Sequence, residues 1–134
     1  MRNEEGRVRN AESGADEGGL KQRTKEFALR TVKIVEALPK RGTADVIGRQ
    51  LLRSGTSVGA NYRAACRAKS PADFISKMGI VEEEVDESLF WMELLIETGL
   101  VDESRLEDLM REAEEILAMT VSSIKTARRN RSRA

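Results

Sequence analysis

The segment RSGTSVGANYRAACR, residues 53–67, decides the fold of this chain. It contains Gly55 and Gly59, three hydroxyl side chains and a single large aliphatic residue, Val58. An interior glycine costs a helix roughly 1 kcal/mol relative to alanine, so two glycines this close need a reason. The segment is therefore either a loop that holds a ligand or a helix that another element approaches very closely.

The helical interpretation is the stronger one. A phosphate-binding loop of the GxxxxGKS/T type needs that motif after a strand, and the segment has neither. On a helix, Gly48, Gly55 and Gly59 lie along one line and leave a flat surface. We expect a neighbouring helix with bulky groups, such as Phe90 or Trp91, to pack against that surface.

The polar residues of the segment lie on an adjoining face. Ser54 shares a face with Asn61, and Ser57 and Asn61 are predicted to be half-buried. Together with Glu87, these three residues are predicted to form a structural polar network. Because half-buried polar groups need hydrogen-bond partners, we expect Glu87 or Glu84 on the third helix to supply them.

Apolar residues at helical spacing extend on both sides of the segment. A first helix begins at Leu20 and is ended by Pro39. Thr43 is a candidate N-cap for the second helix, which contains the segment and meets no breaker before Lys69.

The remaining boundaries are marked by capping residues. Ser70 is the predicted N-cap of the third helix, with Pro71 in its first position and Asp73 reaching back as in a capping box. Gly99 is a natural stop for that helix, and Asp102 can cap the fourth.

Four helices joined by short connections predict an all-α fold, an antiparallel up-down four-helix bundle. The bundle domain is expected to cover residues 20–127. Residues 1–19 are polar and rich in glycine, which predicts a disordered N-terminal tail. Residues 128–134 are predicted to form a basic C-terminal tail.

The third helix indicates self-association. The stretch LFWMELLI, residues 89–96, places apolar side chains all around the helix axis. A four-helix monomer covers only part of such a helix, so Phe90, Trp91 and Leu94 are predicted to meet another copy of the chain.

Composition excludes several classes of protein. The chain has 134 residues, enough for one domain, and contains no histidine, which removes the most common general base and many metal sites. We expect no enzymatic activity, no cofactor and no metal, although Glu83, Glu84 and Glu87 give a weaker alternative of a carboxylate site for Mg²⁺ or Ca²⁺. One cysteine, Cys66, and the lack of an apolar leader or membrane span favour the cytoplasm.

The net charge of zero hides a strong segregation. Residues 21–69 hold 12 basic and 3 acidic side chains, whereas residues 70–115 hold 3 basic and 15 acidic ones. Either neighbouring helices neutralise each other, or a basic face remains available to a polyanion. Under the second interpretation the candidate nucleic-acid-binding residues are Arg23, Lys25, Arg30, Lys33, Arg49, Arg53, Arg63, Arg67, Arg128 and Arg129.

The central region also resembles a known family, the four-helix bundle proteins encoded in intervening sequences of bacterial 23S ribosomal RNA genes. The family pattern RS-x-x-S-x-x-x-N, followed by a D/E-F pair and a later glutamate before an aromatic-rich turn, is matched by Arg53, Ser54, Ser57, Asn61, Asp73, Phe74, Glu87 and Trp91. The resemblance covers residues 21–125. It departs at residues 62–66, where many members read I-A-E-G and this chain carries Arg63.

The resemblance implies an up-down bundle that assembles into a homopentamer. A related accessory protein of diversity-generating retroelements is a basic pentameric barrel that binds nucleic acid and a reverse transcriptase, which suggests RNA or DNA and a polymerase-type protein as partners. We therefore expect a non-catalytic, homo-oligomeric adaptor that binds RNA or DNA without sequence preference. The alternative is a protein-interaction scaffold that binds no nucleic acid.

Overall fold

The computed structural model describes residues 17–133, and the part of the predicted tail before residue 17 lies outside that range. A 3₁₀ turn precedes four helices, and no strand occurs among the described residues. The helices are α1 (Leu20–Glu36), α2 (Gly42–Cys66), α3 (Pro71–Glu97) and α4 (Glu103–Arg133). The predicted all-α, four-helix fold is confirmed.

The helices form an antiparallel up-down bundle. Each helix packs against the next in sequence, and α1 also contacts α4 to close the bundle. The core consists of fully buried side chains from all four helices, including Phe27, Leu51, Met92 and Ile116. Their helical spacing gives each helix one apolar face, and burial of these faces stabilises the fold.

The start and end of α3 are as predicted. The Ser70 hydroxyl accepts a hydrogen bond of 3.1 Å from the backbone N–H of Asp73. The Asp73 carboxylate in turn accepts one from the backbone N–H of Lys69, one residue before the cap. Gly99 follows α3 with a φ of 79°, a left-handed conformation that suits glycine.

The predicted cap of α4 is confirmed, whereas the predicted cap of α2 is wrong. Asp102 accepts the backbone N–H of Ser104 at 3.1 Å, as a cap of α4 should. Thr43 does not cap α2, because the helix begins at Gly42 and the cap position is held by Arg41, with no side-chain hydrogen bond. Gly42, with a φ of 64°, is the first residue of the helix, so Thr43 already lies inside it.

The fourth helix is longer than expected. The bundle is predicted to end at residue 127, but residues 128–133 continue α4 without interruption. No glycine or proline follows Gly99 in the chain, so nothing in the sequence stops the helix. The basic residues near the C-terminus therefore stand on a helix.

The glycines on one face of α2 allow a neighbouring helix to pack closely against it, and that helix is α1. A Cβ atom on Gly55 would lie 2.6 Å from Cγ2 of Thr31, and one on Gly59 would lie 3.2 Å from a backbone oxygen of α1. The expectation that Phe90 or Trp91 of α3 fills this surface is wrong. The phenyl ring of Phe90 lies on the outer side of α3 and is 50% exposed.

Candidate nucleic-acid interface

Arg23, one of the predicted nucleic-acid-binding residues, is tied into the bundle. Its guanidinium donates two hydrogen bonds of 2.9 Å to Glu112 on α4 and one of 2.6 Å to Glu115. These hydrogen bonds, first to Glu112 and then to Glu115, raise the pKa of Arg23 above its ordinary value. Arg23 therefore neutralises acidic neighbours and is not available to a polyanion.

Arg53 has the same kind of role between α2 and α3. Its guanidinium hydrogen-bonds to both carboxylate oxygens of Glu84 at 3.3 Å and makes a short bond to Glu87. The indole N–H of Trp91 donates to the same Glu87 carboxylate at 3.2 Å. The hydrogen bond from Arg53 holds the pKa of Glu87 below its usual value. Arg53 is a structural link.

The predicted polar network therefore has different members. Asn61 donates to the backbone carbonyl of Ser57 at 2.9 Å, within α2, and among the described residues neither side chain bonds to Glu87. The Glu87 carboxylate is bound by Arg53 instead, because the long arginine side chain ends in a forked guanidinium group that suits a carboxylate. Ser54 instead accepts a hydrogen bond of 2.8 Å from Ser88 on α3, and both serines are fully buried.

Sequence reasoning missed Ser88. The signal available for it was a small hydroxyl residue beside Leu89 on the apolar face of α3, at a spacing where an aliphatic residue was expected.

One end of the bundle collects most of the remaining basic groups. It comprises the start of α1, the end of α2 with the loop and first turns of α3, and the C-terminal part of α4. We call this the basic end, and define it as residues 20–26, 59–77 and 119–133. Antiparallel packing brings these three stretches to the same end.

The charge contrast along the bundle axis is large. The basic end holds twelve lysine and arginine residues and only two carboxylates, Glu26 and Asp73. The other residues between 27 and 118 hold eight basic and sixteen acidic side chains. Both carboxylates of the basic end are engaged, Glu26 by Gln22 at 3.0 Å and Asp73 by Lys77 at 2.6 Å. The hydrogen bond from Lys77 lowers the pKa of Asp73.

Six of the ten predicted nucleic-acid-binding residues lie at the basic end, namely Arg23, which is paired with Glu112 and Glu115, and five others. All five are exposed, and none forms an ion pair within the described part of the chain. They are Lys25, Arg63, Arg67, Arg128 and Arg129.

The other predicted residues are not brought to this end. Arg30 and Lys33 lie further along α1, and Arg49 pairs with Asp45 on its own helix at 3.0 Å. Lys69 and Lys125 are not among the predicted nucleic-acid-binding residues. Both are exposed at the basic end, and only the antiparallel register shows that they belong with the others.

A second exposed surface lies on the outer side of α3. Phe90 and Trp91 form an edge-to-face pair with ring centroids 5.0 Å apart. Trp91 and Leu94 are half-buried, and Ile80, three turns earlier, is 38% exposed. The predicted self-association residues are thus accessible, and we call Ile80, Phe90, Trp91 and Leu94 the α3 apolar face.

The carboxylates of α3 are not grouped for metal binding. Glu84 and Glu87 are both engaged by Arg53. Within residues 17–133, no cluster of three or more histidine, cysteine or carboxylate side chains is placed to hold a metal ion. None of the described helices combines the length and apolar content that a membrane-spanning segment needs.

Comparison with known proteins supports the resemblance noted in the sequence. The sequence model of the family described as "23S rRNA-intervening sequence protein" matches residues 19–122. A solved structure from Bacteroides thetaiotaomicron, described as a protein with unknown function from the S23 ribosomal protein family, is 38% identical with a TM-score of 0.73. The match covers 79% of this chain and 98% of that one. No curated protein matched the sequence.

Proposed function

We propose a function for this chain, which belongs to the family of 23S rRNA-intervening sequence proteins, from the surface that it presents. It is a non-catalytic, self-associating bundle that binds RNA or DNA through its basic end. The observation that carries the proposal is the excess of basic side chains at that end, twelve against two engaged carboxylates, with Arg23 and Lys77 committed to ion pairs of their own.

The basic end suits a phosphate backbone. Exposed lysine and arginine side chains displace the counterions that surround nucleic acid, and binding of this kind is strong at low salt and largely independent of sequence. Arg63, Arg67, Arg128 and Arg129 have no acidic partner among the described residues. Binding therefore need not break an existing ion pair.

Self-association strengthens such a site. The exposed Phe90 ring and the half-buried Trp91 and Leu94 form a surface that a second copy of the chain can cover. In a homopentamer, the assembly that the family resemblance implies, five basic ends would bind one polyanion together. Avidity would then raise the overall affinity well above that of one copy.

A scaffold that binds no nucleic acid is the second candidate. The ion pairs of Arg23 and Arg53 favour it, because there basic side chains do neutralise acidic neighbours as that hypothesis requires. It explains these two residues but not the exposed cations at the basic end. A polymerase-type protein partner fits either candidate.

A matched pair of variants separates the two candidates. The first carries Arg63→Gln, Arg67→Gln, Arg128→Gln and Arg129→Gln; the control carries Arg30→Gln, Lys33→Gln, Arg49→Gln and Arg105→Gln. Both lose four positive charges, and among the described residues Arg49 is the one member of either set that forms an ion pair, with Asp45. In filter binding at about 50 mM salt, we expect the first to lose retention of RNA and DNA and the control to keep it. No retention by the natural chain, or equal loss in both variants, contradicts nucleic-acid binding.

A further inference from the structure

We propose that the basic end binds double-stranded nucleic acid in preference to single-stranded nucleic acid. This inference rests on the proposed function and specifies its ligand. It follows from two features of the basic end: the placement of aromatic side chains and the arrangement of the cations on two separate elements.

No fully exposed aromatic side chain lies at the basic end. The chain has five aromatic residues. Phe27 and Tyr62 are fully buried, Phe74 packs partly buried against the core, and Phe90 and Trp91 lie on the outer side of α3. Proteins that bind single strands depend on aromatic platforms worth about 1–3 kcal/mol per base. Without them, phosphate contacts alone must provide the affinity.

The cations of α4 stand on one continuous helix. The ion pairs of Arg23 place the first turn of α1 beside Glu112 and Glu115. The part of α4 beyond Met119 therefore runs past the start of α1 for about 14 residues, or roughly 21 Å at 1.5 Å per residue. Five exposed cations lie on it: Lys125, Arg128, Arg129, Arg131 and Arg133.

Cations arrayed along a helix match the regularly spaced phosphates of a duplex. Duplex DNA carries about one charge per 1.7 Å of its axis, twice the density of one strand, and its phosphates are fixed in place. A flexible single strand loses conformational entropy when it is held against such an array. The last carbonyl groups of α4 carry about half a negative charge, which five cations outweigh.

A second row of cations lies on a separate element. Arg63 on α2, Arg67 at the C-cap of that helix and Lys69 in the following loop are exposed at the same end as the C-terminal part of α4. Two elements that each carry cations can contact the two phosphate strands on either side of a groove, which a lone strand does not offer.

The experiment compares a mixed-sequence 25-base-pair duplex with a single strand of the same length that lacks self-complementarity. Fluorescence anisotropy at about 100 mM salt gives the dissociation constant of each for the full-length chain. We expect the duplex to bind about tenfold more tightly, because its higher charge density releases more counterions per contact. A variant with Lys125→Gln, Arg128→Gln, Arg129→Gln and Arg133→Gln should lose most of this preference, whereas the Arg30, Lys33, Arg49 and Arg105 control should keep it.

Each result has a distinct meaning. Equal or tighter binding of the single strand overturns the duplex preference and leaves nucleic-acid binding intact. Binding of neither ligand overturns both proposals. A duplex preference that survives in the α4 variant contradicts the assignment of that preference to the cations of α4.

Discussion

The guanidinium of Arg23 on α1 holds the carboxylate of Glu112 on α4 through two parallel hydrogen bonds of 2.9 Å each. Both side chains are largely shielded, with 29% of the arginine and 21% of the glutamate exposed. This link closes the bundle between the first and the last helix, which contact each other less than any two helices that follow one another in the chain.

Replacing Arg23 by methionine should destabilise the fold. Met keeps most of the aliphatic packing and removes the paired hydrogen bonds, so we expect a loss of about 1–2 kcal/mol in the free energy of unfolding. Urea denaturation measures it. Lys25→Met on the same helix is the control and should change stability by less than about 0.5 kcal/mol. Equal effects of the two substitutions would show that the link contributes nothing specific.

Two glycines should respond oppositely to alanine. In Gly55→Ala the new Cβ would meet Thr31 atoms at 2.6 and 2.7 Å, and we expect a net loss of about 1–2 kcal/mol from overpacking. In Gly79→Ala the new Cβ would have no atom within 4 Å, and we expect the free energy of unfolding to rise by up to about 1 kcal/mol because alanine favours a helix. Thermal unfolding monitored by circular dichroism compares them. Adding Thr31→Ala to Gly55→Ala should recover part of the loss, and no recovery would contradict the contact.

Acid should weaken the contribution of Glu87. Since Arg53 holds the pKa of Glu87 below its ordinary value of 4.5, the stabilisation is fully present above pH 4.5 and is lost as the pH falls through the lower, folded value. The side chain is 36% exposed, so the effect is about 1 kcal/mol or less. Glu87→Gln should flatten the stability curve below pH 4.5 relative to the natural chain. An unchanged curve contradicts this role.

Self-association should depend on the α3 apolar face. Phe90→Asp places a charge in the proposed contact and should shift the chain to smaller species, measured by light scattering at micromolar concentration. Leu29→Asp on α1 is the matched control, because Leu29 is 54% exposed and Phe90 50%. The control should leave the mass unchanged. A natural chain that is monomeric, or equal dissociation by both variants, contradicts the proposed interface.

Most of the fold was predictable because periodicity and capping are local. Ser70 and Asp73 mark the start of α3 within a few residues of sequence, and the apolar spacing of each helix shows which face is buried. Local patterns do not show which neighbour a face meets. The line containing Gly55 was correctly interpreted as a close contact, yet its partner is Thr31 of α1 because the choice depends on the arrangement of all four helices.

The candidate site was predictable only in part for the same reason. The excess of basic residues is visible in the sequence, but pairing depends on the antiparallel register. Nothing in the local sequence distinguishes Arg23 and Arg53 from the other basic residues, yet they hydrogen-bond to carboxylates 89 and 34 residues away. Lys69 and Lys125 join the basic end only once the helices are aligned.

The salt dependence of duplex binding tests most directly whether the basic end is the phosphate-binding surface. The logarithm of the association constant should fall linearly with the logarithm of salt concentration, with a slope of about −0.9 per phosphate contacted. For the variant that lacks Arg63, Arg67, Arg128 and Arg129, we expect a slope shallower by about 3 to 4 units, with the slope of the control variant nearly unchanged. Equal slopes for both variants and the natural chain, or a shallower slope in the control alone, would contradict this expectation.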